Sequence, residues 1–209
     1  MTYIICTNIS LLDYGDYEVL YGKASPERRC RADRYLQWKD SVRCIIAEAL
    51  LRCTLDTPVY TVEKTTLGKP YIKGNDDFYF NLSHSDSWVV IAWGDSEVGV
   101  DVEKIKGAEG KEEIALRFFS QEEQKYVFEK KEYMQMRFYE IWTGKESYLK
   151  YLGTGLQKDM ASFSIFSLES EVRLHHRLLP GGYSLTLCTT DDNYLFELLD
   201  VHRLLTNEN

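Results

Sequence analysis

The sequence predicts an α+β protein built from two similar α/β halves, and three observations predict this class. Short β-branched and aromatic runs bounded by glycine are interspersed with stretches of helical periodicity. The order strand, helix pair, strands occurs twice along the 209 residues. A capped helix start opens the helix pair of each half, at Ser25 and at Ser120. We therefore expect halves spanning residues 1–97 and 98–209, packed together because no linker-like segment separates them.

The first half opens with a β-branched run at residues 3–9, which predicts a strand. Ser25 followed by Pro26 is typical of a helix start, and Asp40 is a candidate N-cap for a second helix with a buried apolar face. Short β-like runs then predict strands within residues 59–65, 69–74, 78–84 and 88–94.

The second half repeats this order. Residues 97–105 predict a strand, and Ser120 with Glu123 three residues later predicts a capping box. Apolar residues at helical spacing predict a long helix over residues 134–152 that Gly153 ends. Further strands are predicted within residues 161–166, 172–178, 183–190 and 194–201.

Composition narrows the class of protein. A 44% hydrophobic content is enough for a core and argues against disorder, and a net charge of −8 argues against a general nucleic-acid binder. The first residues lack a signal-peptide pattern, and no apolar run is long enough to span a membrane. Five cysteines without zinc-like spacing predict free thiols in a reducing compartment, and we expect a cytoplasmic protein.

Two acids lie two residues apart on a predicted strand. Asp101 and Glu103 leave the same face, whereas the valines at 98, 100 and 102 leave the other face toward a core. Two carboxylates held side by side repel each other unless a cation joins them, and hard oxygen ligands suit Mg²⁺. The alternative is an amphipathic edge strand whose acids are simply solvated.

A third acid lies on the long predicted helix. Glu146 and Lys150 are four residues apart and share a face, with Trp142 one turn earlier. Taken alone, this pair is an ordinary exposed salt bridge. Together with Asp101 and Glu103 it makes a metal site with a charge-neutralising lysine, which suits attack on a phosphate.

A basic region interrupts the acidic chain. Arg28 and Arg31 share a helical face, and further basic residues follow between 39 and 43. Such a face is usually just solvated, but guanidinium groups can also grip a phosphate monoester. His84 follows an apolar strand among hydroxyl residues, and the glycine turn at 68–70 either lies against a flat ligand or is a plain turn.

Read in order, five motifs match a known family: "GKPY", "FNLSHS", "GVDVEKI", "RFFSQEE" and "WTGKESYLK". Together with "SPERRCR" near the start, they resemble the 4′-phosphopantetheinyl transferases of the surfactin-synthetase-activating type over residues 20–165. The resemblance implies a pseudo-dimeric monomer of two α/β halves, each with an antiparallel sheet packed on helices, and a coenzyme A site in the cleft between them.

The resemblance also implies roles for particular residues. Asp101, Glu103 and Glu146 would hold Mg²⁺ against the pyrophosphate of coenzyme A. The chemistry also needs a base for the attacking hydroxyl, and a carboxylate near the metal, Glu146 by preference, could take that proton directly or through water, so that Glu146 is a ligand, a base or both. Lys150 and Lys145 would offset phosphate charge. The 3′-phosphate and adenine of coenzyme A would be bound by Arg28, Arg31, Arg43, Gly68, Lys69, Pro70, Ser83 and His84.

The implied reaction transfers the phosphopantetheine arm of coenzyme A to a serine of an apo acyl or peptidyl carrier protein and releases adenosine 3′,5′-bisphosphate. Coenzyme A and the carrier are the expected partners, with no nucleic acid and no membrane. Two other functions stay open at this point. One is a metal-dependent phosphodiesterase or nuclease, and the other is a non-catalytic module that binds coenzyme A or a carrier protein.

Overall fold

The computed structural model describes residues 1–57, 59–107 and 109–206. It confirms a mixed α+β protein in which antiparallel strand pairs pack on helices. The strands are β1 Thr2–Asn8, β2 Val62–Lys64, β3 Pro70–Ile72, β4 Tyr79–Ser85, β5 Trp88–Gly94, β6 Gly99–Lys104, β7 Arg173–Leu179, β8 Tyr183–Thr189 and β9 Tyr194–Leu199. The helices are α1 Tyr14–Lys23, α2 Pro26–Ala32, α3 Trp38–Cys53, α4 Lys111–Phe118, α5 Gln121–Phe128, α6 Met134–Leu152 and α7 Arg203–Thr206.

Two sheets form the centre of the molecule. The larger has the order β4-β5-β1-β9 and the smaller has the order β6-β8-β7. All their pairings are antiparallel except that of β1 with β9, which is parallel. The last strand of the chain therefore joins the sheet of the N-terminal half, and the sheets do not divide cleanly at residue 97.

Strand alternation creates the layers of the fold. Even-numbered residues of β1 and β5 share one apolar cluster with the valines at 98, 100 and 102, so the two sheets pack against each other through these faces. The opposite face of β5 packs with α3 in a second cluster. On the smaller sheet, α6 covers the face that carries the even-numbered residues of β8.

Most predicted elements are confirmed, with shifts of a few residues at their ends. The capping box at Ser120 and Glu123 is present, and Gly153 ends α6 in a left-handed conformation with φ of +66°. The prediction of Asp40 as an N-cap was wrong, because α3 begins two residues earlier at Trp38. Asp40 instead lies in the first turn, where its charge complements the helix dipole.

Three further stretches differ from the prediction. Residues 161–166 were predicted as a strand, but the described structure has a 3₁₀ turn at Met160–Ser162 followed by bends and turns, with no strand. The sequence analysis also missed α1 and α4, two short helices that bury only one and two residues. In the described part of the chain, no helix combines the length and the apolar character that crossing a membrane requires.

Candidate active site

Strands β4 and β6 run side by side where the two sheets meet, and side chains rather than backbone carbonyls join them. Every second residue of β4 presents an oxygen to a backbone N–H of β6. These bonds join Asn81 to Val100 at 3.0 Å, Ser83 to Val102 at 3.3 Å, and Ser85 to Lys104 at 3.0 Å. We call this row of three bonds the seam. The seam explains why every second residue of "NLSHS" is Asn or Ser. Each of these three side chains accepts a hydrogen bond from a backbone N–H of β6 that would otherwise be buried without a partner.

The seam fixes where the acids of β6 point. Because the valines of β6 fill the core between the sheets, Asp101 and Glu103 leave the opposite face, toward α6. Ser83 donates a hydrogen bond of 2.9 Å to Asp101, and Ser85 donates one of 2.8 Å to Glu103. The predicted shared face of the two acids is therefore present, and both carboxylates are held from β4.

Helix α6 lies unusually close to β6, and glycine makes this possible. A Cβ atom at Gly99 would lie 2.9 Å from the Cα of Tyr151 and still closer to the carbonyl oxygen of Ser147. Only glycine fits this contact, because any other side chain would overlap the helix backbone. The close approach brings Glu146 and Lys150 beside the acids of β6.

Lys150 connects the helix to the seam. Its Nζ donates to Asp101 Oδ1 at 2.7 Å, to Ser83 Oγ at 3.1 Å and to the carbonyl of Val100 at 3.1 Å. The other oxygen of Asp101, Oδ2, is buried and has no hydrogen-bond partner among the described residues. One lysine is therefore set against three carboxylates, which leaves an excess of negative charge.

These side chains line one pocket of about 330 Å³. Its lining consists of Leu82, Ser83, His84, Asp101, Glu103, Trp142, Glu146 and Lys150. Sequence reasoning did not assign Leu82 to the site and noted Trp142 only for its position one turn before Glu146. Trp142 also stacks on Phe138 at a ring distance of 6.1 Å, so it anchors this wall of the pocket to the core beneath α6.

The electrostatics of the pocket fit a divalent cation. Burial raises the pKa of Glu103 and of Glu146, and the negative charge of Asp101 raises both further. Within the described residues, no three His, Cys, Asp or Glu side chains are close enough to hold a metal ion as they stand. Carboxylate oxygens, among them the unpartnered Oδ2 of Asp101, are nevertheless the type of ligand that Mg²⁺ prefers.

The other predicted residues lie at varying distances from this pocket. His84 is exposed on one side, but desolvation by the surrounding protein, followed by the positive charge of Arg43, lowers its pKa. Arg28 is paired with the buried Glu48 at 3.3 Å. Arg31 is exposed, and a hydrogen bond with Tyr35 raises its pKa.

The turn at 68–70 borders a second pocket of about 330 Å³. Asp101, Glu103 and Glu146 do not line this second pocket. Gly68 adopts φ of +93°, which explains why glycine stands there. Pro70 and Lys69 line this pocket, and the Lys69 Nζ is tied to Glu97 and to the carbonyls of Val98 and Tyr151. The turn thus connects the N-terminal half to the end of α6.

Lys145 is the clearest correction. The sequence prediction assigned it to phosphate binding, but its side chain is 0% exposed and pairs with Glu123 at 2.8 Å. Its Nζ also donates to the carbonyls of Met160 and Phe163. On a helix, residue 145 points about 100° away from residue 146, so a lysine next to the pocket glutamate necessarily leaves another face.

The acidic pocket with its lysine is the kind of site that suits attack on a phosphate group. The sequence model of the "4'-phosphopantetheinyl transferase superfamily" matches residues 97–196. The chain is 34% identical to a 4′-phosphopantetheinyl transferase of Bacillus subtilis over 161 residues, which are 74% of this chain and 71% of that protein.

Two further relatives give the same result. The transferase Sfp of Bacillus subtilis (strain 168) is 35% identical over 149 residues, covering 68% of this chain and 65% of the relative. The transferase gsp of Aneurinibacillus migulanus is 35% identical over 161 residues, covering 74% and 66%. The protein described here belongs to the 4′-phosphopantetheinyl transferase family.

Proposed function

We propose that this protein transfers the 4′-phosphopantetheine arm of coenzyme A to a serine hydroxyl of an apo acyl or peptidyl carrier protein, with Mg²⁺, and releases adenosine 3′,5′-bisphosphate. The observation that carries the proposal is the convergence of Asp101, Glu103, Glu146 and Lys150 on one pocket. The two acids of the strand lie far along the chain from the glutamate and the lysine of the helix.

The three carboxylates are the proposed ligands of Mg²⁺. A bound Mg²⁺ supplies positive charge that polarises the phosphoryl oxygens under attack and neutralises the pyrophosphate. Support comes from the unpartnered Oδ2 of Asp101 and from the raised pKa of Glu103 and of Glu146, which show that the acids are crowded and partly buried.

Lys150 is the proposed second source of positive charge. Its Nζ already lies within hydrogen-bond distance of Asp101 and Ser83, so its position is fixed before any substrate arrives. A fixed ammonium group costs little reorganisation when negative charge develops on the departing phosphate.

Glu146 is the proposed proton acceptor. A serine hydroxyl is a poor nucleophile at neutral pH, so a base must take its proton as the oxygen attacks phosphorus. Support for this role comes from the position of Glu146, whose side chain lines the pocket together with Lys150.

Binding of the nucleotide end of coenzyme A is proposed for the basic residues on α2 and α3 and for the residues of β4 at the pocket. These are Arg28, Arg31, Arg43, Ser83 and His84, with the turn of Gly68, Lys69 and Pro70 for the adenine. Arg28 would exchange its ion pair with Glu48 for a phosphate contact. We do not include Lys145, since it is buried in another ion pair.

We also propose that the protein acts as a cytoplasmic monomer whose two halves enclose the coenzyme A cleft. The thiols of Cys6, Cys30, Cys44 and Cys188 are free, which is consistent with a reducing compartment.

The test is a mass measurement. Apo-carrier protein is mixed with coenzyme A, Mg²⁺ and the enzyme, and the carrier is expected to gain the mass of one phosphopantetheine arm. The Glu146→Gln variant is expected to lose most of this activity, whereas Ser96→Ala, a change at an exposed hydrogen bond with Thr190 outside the pocket lining, is expected to keep it. Coenzyme A binding with no mass gain would refute the transfer reaction, and nucleotide release from DNA would favour a nuclease instead.

A further inference from the structure

Two serines of β4 and two acids of β6 repeat one hydrogen-bonded unit. In each unit, the serine hydroxyl accepts the N–H that follows the acid and donates to the carboxylate of the acid itself. For Ser83 and Asp101 these distances are 3.3 and 2.9 Å, and for Ser85 and Glu103 they are 3.0 and 2.8 Å. Because both strands repeat every two residues, the serine pair and the acid pair match in register.

The unit fixes the direction of each hydroxyl. A serine hydroxyl has one hydrogen and two lone pairs. The backbone N–H of Lys104 occupies a lone pair of Ser85, so the single hydrogen is free to point at Glu103. The backbone therefore orients the hydroxyl, and the hydroxyl orients the carboxylate.

The two acids differ in how many groups hold them. Asp101 receives hydrogen bonds from both Ser83 and Lys150. Within the described part of the chain, Glu103 receives a hydrogen bond from Ser85 alone. Glutamate also has one more rotatable bond than aspartate, so the carboxylate with the fewest partners is the one with the most freedom.

We propose that Ser85 is a positioning residue that holds the Glu103 carboxylate in the orientation needed to bind Mg²⁺. The proposal rests on the proposed function, because it takes Glu103 to be a ligand of the cation. Ser85 does not line the pocket and acts through Glu103. Groups that orient metal ligands in this way typically contribute tenfold to a hundredfold to metal affinity.

The competing role for Ser85 is purely structural, since its hydroxyl also completes the seam. Asn81 offers a matched control for that role. Its side chain makes the same kind of seam bond, to the N–H of Val100, but touches no carboxylate in the described structure. A change at Asn81 therefore disturbs the seam without releasing an acid.

The experiment measures the binding of Mn²⁺, a paramagnetic substitute for Mg²⁺, to the enzyme with coenzyme A present. Free Mn²⁺ is followed by electron paramagnetic resonance, and each variant is first checked by its melting temperature. We expect Ser85→Ala to weaken Mn²⁺ binding about tenfold. Ser85→Thr keeps the hydroxyl and is expected to stay within about threefold of the wild type.

A double-mutant cycle separates positioning from structure. In a Glu103→Ala background, Ser85→Ala is expected to cause no further loss of Mn²⁺ affinity, because the group it positions is gone. A tenfold loss that persists in that background, or an equal loss in Asn81→Ala, would overturn the proposal. Even if Asn81→Ala does not fold, the double-mutant cycle still decides whether Ser85 acts through Glu103.

Measurements on the wild-type enzyme show whether a failure concerns the role of Ser85 or the proposed function itself. If wild-type enzyme neither binds Mn²⁺ nor modifies the carrier protein, the function itself is wrong. If it does both and Ser85→Ala binds Mn²⁺ as tightly as the wild type, only the role of Ser85 is wrong.

Discussion

Helix α6 carries two lysines that make ion pairs of nearly equal length in very different surroundings. Lys145 lies 2.8 Å from Glu123, and both side chains are 0% exposed. Lys150 lies 2.7 Å from Asp101, with exposures of 28% and 6%. Distance alone therefore does not tell a structural lysine from a functional one.

The difference lies in which polar atoms remain without partners. Two backbone carbonyls complete the shell of Lys145, and Glu123 accepts hydrogen bonds from the N–H groups of Ser120 and Ile165. The Lys150 pair instead borders a pocket and leaves Asp101 Oδ2 without a partner. The buried pair joins α5, α6 and the following turn, whereas the pocket pair keeps an unused acceptor, Asp101 Oδ2, that a cation could fill.

The largest expected effect is a loss of kcat when the pocket pair of Lys150 and Asp101 is changed. Asp101→Asn keeps the size of the side chain but removes a charge that we assign to the cation, and we expect kcat to fall about a thousandfold, or about 4 kcal/mol. The melting temperature should change little, because relief of repulsion with Glu103 and Glu146 offsets the lost pair with Lys150. Single-turnover transfer to a carrier protein measures this. Retention of more than a tenth of the activity would contradict the assignment.

Breaking the buried pair of Lys145 and Glu123 should lower the stability of the protein rather than its kcat. Lys145→Met leaves Glu123 as an uncompensated buried charge, and we expect the free energy of unfolding to drop by about 3–5 kcal/mol. Chemical denaturation measures the loss. Adding Glu123→Gln should recover part of it, because the amide is neutral. A variant of unchanged stability but low kcat would mean that Lys145 acts in the pocket after all.

Disturbing the close contact of α6 with β6 should cause a smaller loss of stability and of kcat. Gly99→Ala places a Cβ against the backbone of Ser147 and Tyr151, so α6 must move outward, at a cost of about 1–3 kcal/mol. We also expect lower kcat, because Glu146 and Lys150 move with the helix. Gly22→Ala is the matched control: nothing lies within 4 Å of the added Cβ, and helix propensity should raise stability by up to about 1 kcal/mol.

The smallest effect concerns an exposed ion pair at the β4–β5 turn. Hydrogen bonds from Lys39 and then Tyr183 lower the pKa of Asp86 from 3.8 to about 2. Because the folded pKa lies below the unfolded one, the stabilisation is complete above pH 4 and is lost as the pH falls through 2.

Melting temperatures of wild type and Asp86→Asn, compared from pH 6 to pH 2.5, test this. The wild type should be slightly more stable at pH 6, and the difference should shrink as the pH falls. Asparagine tolerates the φ of +47° at this position, so backbone strain does not confuse the comparison. A difference that is constant with pH would rule out the charge as its cause.

The sequence determined much of the fold. Period-two alternation located the valine and acid faces of β6, and local capping chemistry located the start of α5 and the end of α6. Helical periodicity also placed Glu146 and Lys150 on one face. These features depend on residues close together in the chain, which is why they can be read without a structure.

Only the tertiary structure decided which charged residues meet. It paired Lys145 with Glu123 rather than with the pocket, joined β9 to β1, and aligned Ser83 and Ser85 with the two acids of β6. Such contacts depend on how distant segments pack, and a charge has no partner until packing brings one within a few ångströms and excludes water. For this protein, the residue types determined the available chemistry, and packing determined which residues could perform it.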